Sequence, residues 1–332
     1  MVHASADFST ADVGHGYLRA LRRQGHDVEE FRTTNRIKFF ALGLMQSPDP
    51  KLADDQLLVS RLACEGIVVE ALRHRAELVV VTAGGGIHPD GLELLNRAGF
   101  PIAVVFTESP YEDEHQLTYA RHCGHVFCND AVSARRYGWT WLPPAYDAEV
   151  HQPYPFDPKE ACDVLIIGSG WPERQELLEQ INWRGIDLRI RGYWPGIRSR
   201  SKLRSRYEAV IIENREAARM YSSAKICLNF HRFDPRAETL NPRAYELAAC
   251  GAFQISDWRP GLVEVFGESV PSYHQPAELE RLIRHYLRDE GARRMMAEHQ
   301  RRQVLEGGHT FDDRAARLVA AVTGTALAPA AV

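Results

Sequence analysis

The chain has 332 residues, enough for two domains of roughly 100–200 residues each. Hydrophobic residues make up 45% and charged residues 25%, and the formal net charge is −4, a balance that excludes general affinity for nucleic acid or anionic membrane. No uninterrupted apolar run reaches the ~20 residues needed to span a bilayer. Six cysteines scattered through apolar segments fit a reducing compartment. The opening MVHASADFSTADVG lacks the basic and apolar regions of a signal peptide, so a cytoplasmic location is expected.

Short β-branched runs alternate with amphipathic segments along the whole chain. A brief strand at Val2–Ala4 precedes a helix over 15–25, closed by Gly25, and a strand over His26–Phe31. A long helix follows at 53–75. Glu77–Val81 is a strand running into Gly84-Gly85-Gly86, and Asp90–Ala98 is a helix. Pro101–Thr107 and His125–Cys128 are strands. Strands separated by helical stretches imply βαβ units and a parallel sheet, and runs such as VVV and AVVF suit strands covered on both faces.

Residues 143–158 hold five of the 18 prolines and no helical period, so they read as a linker. The domains expected are 1–145 and 161–332, joined by 146–160. In the second half come strand Asp163–Ile167, helix Glu173–Gln180, strand Asp187–Ile190, helix Glu213–Ser222, strand Ile226–Phe230, helix Pro242–Cys250 and strand Phe253–Ser256. Three helices near 276–288, 290–304 and 310–322 close the chain. The fold class expected is α/β, with two Rossmann-like domains.

The most informative stretch is KICLNFHRFDPRAETLNPRAYELAACGAFQISDW, Lys225–Trp258. Its strand ends at His231-Arg232, and Asn241-Pro242 then supplies an N-cap and a favoured first helical residue. Gly251 stops the helix. A helix N-terminus beyond the carboxyl end of a parallel strand is a natural anion site. Arg243 in the first turn suits bidentate phosphate binding, and Glu246, at i+3, suits the two hydroxyls of a ribose.

Glu238 and Glu246 show the E-x7-E spacing of many GT-B glycosyltransferases. The segments YSSAKICLNFH, NPRAYELAACGAFQISD, HTFDDR and DVLIIGSGWPERQELL resemble the CgeB-like (spore maturation protein) branch of that fold, with its glycosyltransferase group 1-like C-terminal domain. The resemblance implies two Rossmann-like domains whose parallel sheets face a cleft. It also implies metal-independent transfer of a sugar from a nucleotide-sugar donor, with no further cofactor. Glu246 would hold ribose, and Arg174 and Arg243 the diphosphate beside the Gly168 turn. Glu238 would lie near the donor sugar. Asn229, His231 and Asp257, at strand ends on the same edge, are further binding candidates, as is Arg232.

The first half would then carry the acceptor: a glycan, protein, small molecule or modified nucleic acid. His15, between Gly14 and Gly16, could take the acceptor proton near neutral pH, with glycines allowing close approach. Asp7 and Glu108 are rival catalytic groups. His122, Cys123, His125 and Cys128 crowd together, but their spacing completes no standard tetrahedral metal site. The 184–206 stretch carries eight basic side chains and one acid, a pattern of either a solvated face or an anionic-acceptor surface. A nucleotide-sugar epimerase, a non-catalytic nucleotide or sugar-binding protein, and an NAD-dependent oxidoreductase are the alternatives. The oxidoreductase is disfavoured because position 173, Glu, replaces the third glycine of a dinucleotide fingerprint.

Overall fold

A computed structural model of the chain describes residues 1–5, 13–53, 55–82, 87–232, 234 and 236–325. Asp7 and Gly84–Gly86 lie outside the described residues. Contacts divide the chain into two units.

In the first unit the elements are β1 (Val2–Ser5), α1 (Val13–Arg23), β2 (Glu29–Arg32), α2 (Thr33–Met45), α3 (Pro50–Ala53), α4 (Gln56–Arg73), β3 (Val79–Thr82) and α5 (Pro89–Arg97). They continue with β4 (Ile102–Phe106), α6 (Asp113–Ala120), β5 (His125–Cys128), α7 (Ala131–Tyr137) and β6 (Thr140–Trp141). All strand pairs are parallel, in the order β2-β1-β3-β4-β5-β6. Every residue of β3 and β4 is buried, as their unbroken apolar runs require under helices on both faces. The core gathers Val79, Val81, Val104 and Phe106 with Ile67 and Leu92 from the helices. The long helix expected at 53–75 begins at Gln56, where the Asp55 carboxylate accepts the Leu58 N–H at 2.9 Å. Helix α2 was not expected, because TTNRIKFFALGLM lacks a clear apolar face: Phe39, Leu42 and Met45 remain 71%, 62% and 66% exposed.

The second unit spans Pro144–Thr310. It comprises β7 (Cys162–Ile167), α8 (Pro172–Gln180), β8 (Leu188–Gly192), β9 (Tyr207–Ala209), α9 (Asn214–Tyr221) and β10 (Ala224–Asn229). These lead to α10 (Pro242–Ala249), β11 (Gln254–Asp257), α11 (Pro260–Phe266), β12 (Ser272–Tyr273), α12 (Pro276–Arg288) and α13 (Glu290–Glu306). Its parallel sheet has the order β12-β11-β10-β7-β8-β9, so the direction of winding reverses between β7 and β10. Open sheets of this kind bind ligands beyond the strand ends at that reversal.

Two domain expectations change. The proline-rich segment is not a free linker, since the Tyr154 and Asp157 backbone N–H groups donate to Ser222 and Ser223 Oγ, each at 3.0 Å. The last helix, α14 (Phe311–Thr323), belongs with the first unit rather than the second. Its Phe311 ring meets Tyr17 edge to face at 5.3 Å, Arg23 grips Asp312 in bidentate fashion at 2.9 and 2.6 Å, and buried Arg314 donates to the Pro143 carbonyl at 2.8 Å. Sequence periodicity assigns a helix but not the core it joins, and these contacts decide it. Among the described residues no helix is long and apolar enough to cross a membrane.

Candidate functional site

The second unit assembles most of the expected binding residues at the β7/β10 reversal. Asn241 caps α10: its Oδ1 accepts the Ala244 N–H at 3.1 Å. Its Nδ2 donates to Asn229 Oδ1 and to the Phe230 carbonyl, both at 2.9 Å, so the cap also ties the helix to the end of β10. Pro242 at the first position has no N–H to satisfy. The helix N-terminus is thereby fixed at the sheet edge, with its partial positive charge there.

Two arginines meet beside it. Arg174, in the first turn of α8, donates to the Ser169 carbonyl at 2.7 Å and to the Phe230 carbonyl at 3.0 Å, bridging the loops after β7 and β10. Arg243 donates through Nε to the Tyr221 hydroxyl at 3.3 Å. Its guanidinium lies against Gly168, where an added Cβ would sit 3.2 Å from Nη1, and where φ is +140°. Only glycine meets both demands comfortably. Burial and then repulsion from Arg243 push the Arg174 pKa down to about 10. Two cations held this close form a site that an anion would relieve.

Glu246 lies one turn further along α10 and is only 6% exposed. Among the described residues its carboxylate accepts no hydrogen bond, and the basic atom facing it is His151 Nε2, at 4.0 Å. A buried carboxylate with unused lone pairs suits a ligand that brings hydroxyl donors. His231 and Asp257 also meet. The Asp257 Oδ1 accepts the His231 backbone N–H at 2.9 Å and lies 2.9 Å from the ring Nδ1. Burial opposes the Asp257 charge, but His231 and Arg259 outweigh it and hold the carboxyl below its ordinary range. Among the described residues the buried His231 Nε2 has no hydrogen-bond partner.

Arg259 was not expected from the sequence. Buried after β11, it donates to the carbonyls of Arg232, Asp234 and Ala237 at 2.8–3.0 Å and so fixes the loop before Glu238. Glu238 is exposed on that loop, and its carbonyl accepts the Gly261 N–H at 3.2 Å. The Arg232 guanidinium sits 5.6 Å over the Trp171 ring.

In the first unit, His15 Nε2 lies 3.3 Å from Glu30 Oε1. Glu30 is a second group that the sequence did not single out, although it lies in the HDVEEF run. His15 is thus an imidazole oriented by a carboxylate, able to accept a proton and share the charge. The neighbouring Gly16 serves packing rather than ligand approach: a Cβ there would stand 2.5 Å from the Phe311 ring. Glu108 is exposed after β4, two strands away from β1 in the sheet.

Residues 157–320, which carry this whole edge, match the glycosyl transferase-like family. Over that half the chain is similar to glycosyltransferases, and its two parallel Rossmann-like sheets share the GT-B fold. It is also similar to the spore protein CgeB of Bacillus subtilis (strain 168), 23% identical over an alignment of 272 positions that covers 76% of this chain and 84% of that protein. Sucrose-phosphate synthase from Thermosynechococcus elongatus shares the fold at a TM-score of 0.63 and 15% identity, covering 98% of each chain. Anabaena HepE, solved in complex with UDP-glucose, does so at 0.60 and 11%, over 98% of this chain and all of that one.

Proposed function

We propose that the second unit binds the nucleotide-sugar donor and the first unit the acceptor. The observation that carries this reading is the convergence, at one strand reversal, of a capped helix N-terminus, two opposed guanidinium groups and a buried, unbonded carboxylate. Arg174, Arg243 and the α10 N-terminus hold the diphosphate, with Gly168 letting the backbone approach it. Glu246 accepts hydrogen bonds from the ribose hydroxyls. His231, Arg232, Asp257 and Glu238 lie towards the donor sugar.

In the reaction, the bond from the anomeric carbon to the diphosphate oxygen breaks as a bond to the acceptor oxygen forms. Guanidinium groups and helix dipole stabilise the negative charge that grows on the departing diphosphate. Since these cations do the work a divalent metal does elsewhere, transfer proceeds without one and without another cofactor. His15, oriented by Glu30, takes the proton from the acceptor hydroxyl.

A thermal-shift series with ADP, GDP, CDP and UDP tests the donor site on wild type, Arg243→Gln and Glu246→Gln. A nucleotide at a hundredfold over its Kd should add roughly 2.7 kcal/mol of stability. The expected result is a shift with one base that shrinks in both variants. A folded wild type that responds to no nucleotide would leave the chain with the fold but without this donor site. Turnover of the matching nucleotide sugar in the absence of any acceptor would point to an epimerase instead.

A further inference from the structure

The proline-rich stretch before β7 contributes a residue to the site that no spacing pattern suggests. Residues 147–151 form a tight turn, in which the Asp147 carbonyl accepts the N–H groups of Val150 at 3.1 Å and His151 at 2.7 Å. The Asp147 backbone N–H in turn donates to His151 Nδ1 at 3.1 Å. A backbone N–H can only donate, so Nδ1 must offer a lone pair, and the ring proton must sit on Nε2. That Nε2–H faces Glu246 Oε1 at 4.0 Å, with the two side chains 2% and 8% exposed. At this distance the contact is too long for a hydrogen bond, so it leaves the carboxylate's lone pairs available.

We propose that His151 is a positioning residue for Glu246. The turn locks the imidazole tautomer, and the locked N–H faces the buried carboxylate and keeps it aimed at both ribose hydroxyls. The inference rests on the donor-site reading, and it adds a specific consequence. His151 governs discrimination between ribose and deoxyribose while leaving diphosphate binding by Arg174 and Arg243 in place. Nothing in this role requires His151 to touch the nucleotide.

Two near-isosteric variants separate positioning from turn-building. In His151→Asn the side-chain oxygen stands where Nδ1 was and still accepts the Asp147 N–H, but no donor reaches Glu246. In His151→Gln the amide nitrogen stands where Nε2 was, so the donor to Glu246 is kept and the turn acceptor is lost. Titrations with ADP, GDP, CDP and UDP beside their 2′-deoxy counterparts give the ratio of Kd values. Wild type should prefer the ribonucleotide by about tenfold or more, the usual effect of a hydrogen bond to a charged group. That preference should collapse in His151→Asn and persist in His151→Gln, with deoxynucleotide affinity close to wild type in both. A preserved preference in His151→Asn, or a lost one in His151→Gln, overturns the proposal. The Gln variant decides alone if the Asn variant does not fold. A wild type that binds no nucleotide fails the donor-site reading itself, a result recognisable before any variant is made.

Discussion

Single residues in this chain act through what surrounds them, and His3 shows it on the stability side. It lies in the middle of β1, fully buried, with Nε2 2.9 Å from the Thr82 hydroxyl and Nδ1 without a partner among the described residues. Burial lowers its pKa from 6.5 to about 4. The unfolded chain therefore takes up a proton in a pH range where the folded chain does not. Stability is complete above pH 6.5 and drains away as pH falls towards 4, by roughly 3 kcal/mol in all. Urea unfolding at several pH values across that window should show this loss in wild type and a clearly shallower one in His3→Val. Parallel slopes would mean that His3 is not the group being titrated. At the candidate site the same dependence on surroundings explains what the sequence showed and hid. Arg243 and Glu246 stood out because both lie within the first two turns after an N-P cap. His151 and Arg259 were not, because their partners are distant in sequence and brought near only by the folded sheet.

At the scale of an element, α10 joins local and long-range signals. Its start was written in two adjacent residues, Asn241 and Pro242, and its stop in Gly251, whose φ is +68°. Those are local steric and hydrogen-bonding rules, which is why this helix was read so closely. The shorter elements α6, α7, α11 and β12 escaped, since seven or eight residues of helix, or two of strand, offer too little period to rise above the surrounding loop. Replacing Asn241 with Ala removes both the cap and the tie to Asn229 and Phe230. Loss of the cap alone costs about 1 kcal/mol. Chemical denaturation should report at least that. Nucleoside diphosphate affinity should fall with it, because the helix N-terminus would no longer be pinned at the β7/β10 edge. Unchanged affinity in a destabilised Asn241→Ala would show that the guanidinium groups bind phosphate without the helix.

For the whole molecule, the alternation of strands and helices was enough to give two parallel α/β sheets. What alternation could not give was membership. Helix α14 has an ordinary amphipathic pattern that would suit either core, and only the pocket left by Gly16, together with Arg23, Tyr17 and Pro143, assigns it to the first. A chain ending at Thr310 would strip Phe311, Ala315 and Leu318, all buried, from that unit. Removing a large buried side chain typically costs about 3–5 kcal/mol, so the truncated protein should show the first unit melting well below the second by calorimetry. A single unchanged transition would mean that α14 adds little.

That return of the final helix also bears on how the protein is made. A ribosome delivers the strands of the first unit before Pro144–Thr310 and α14 only after it, so the first unit lacks this helix while the whole of Pro144–Thr310 is synthesised. The order of completion is thus set against the order of emergence: the first unit, begun before the second, has its α14 made only after the second unit's residues.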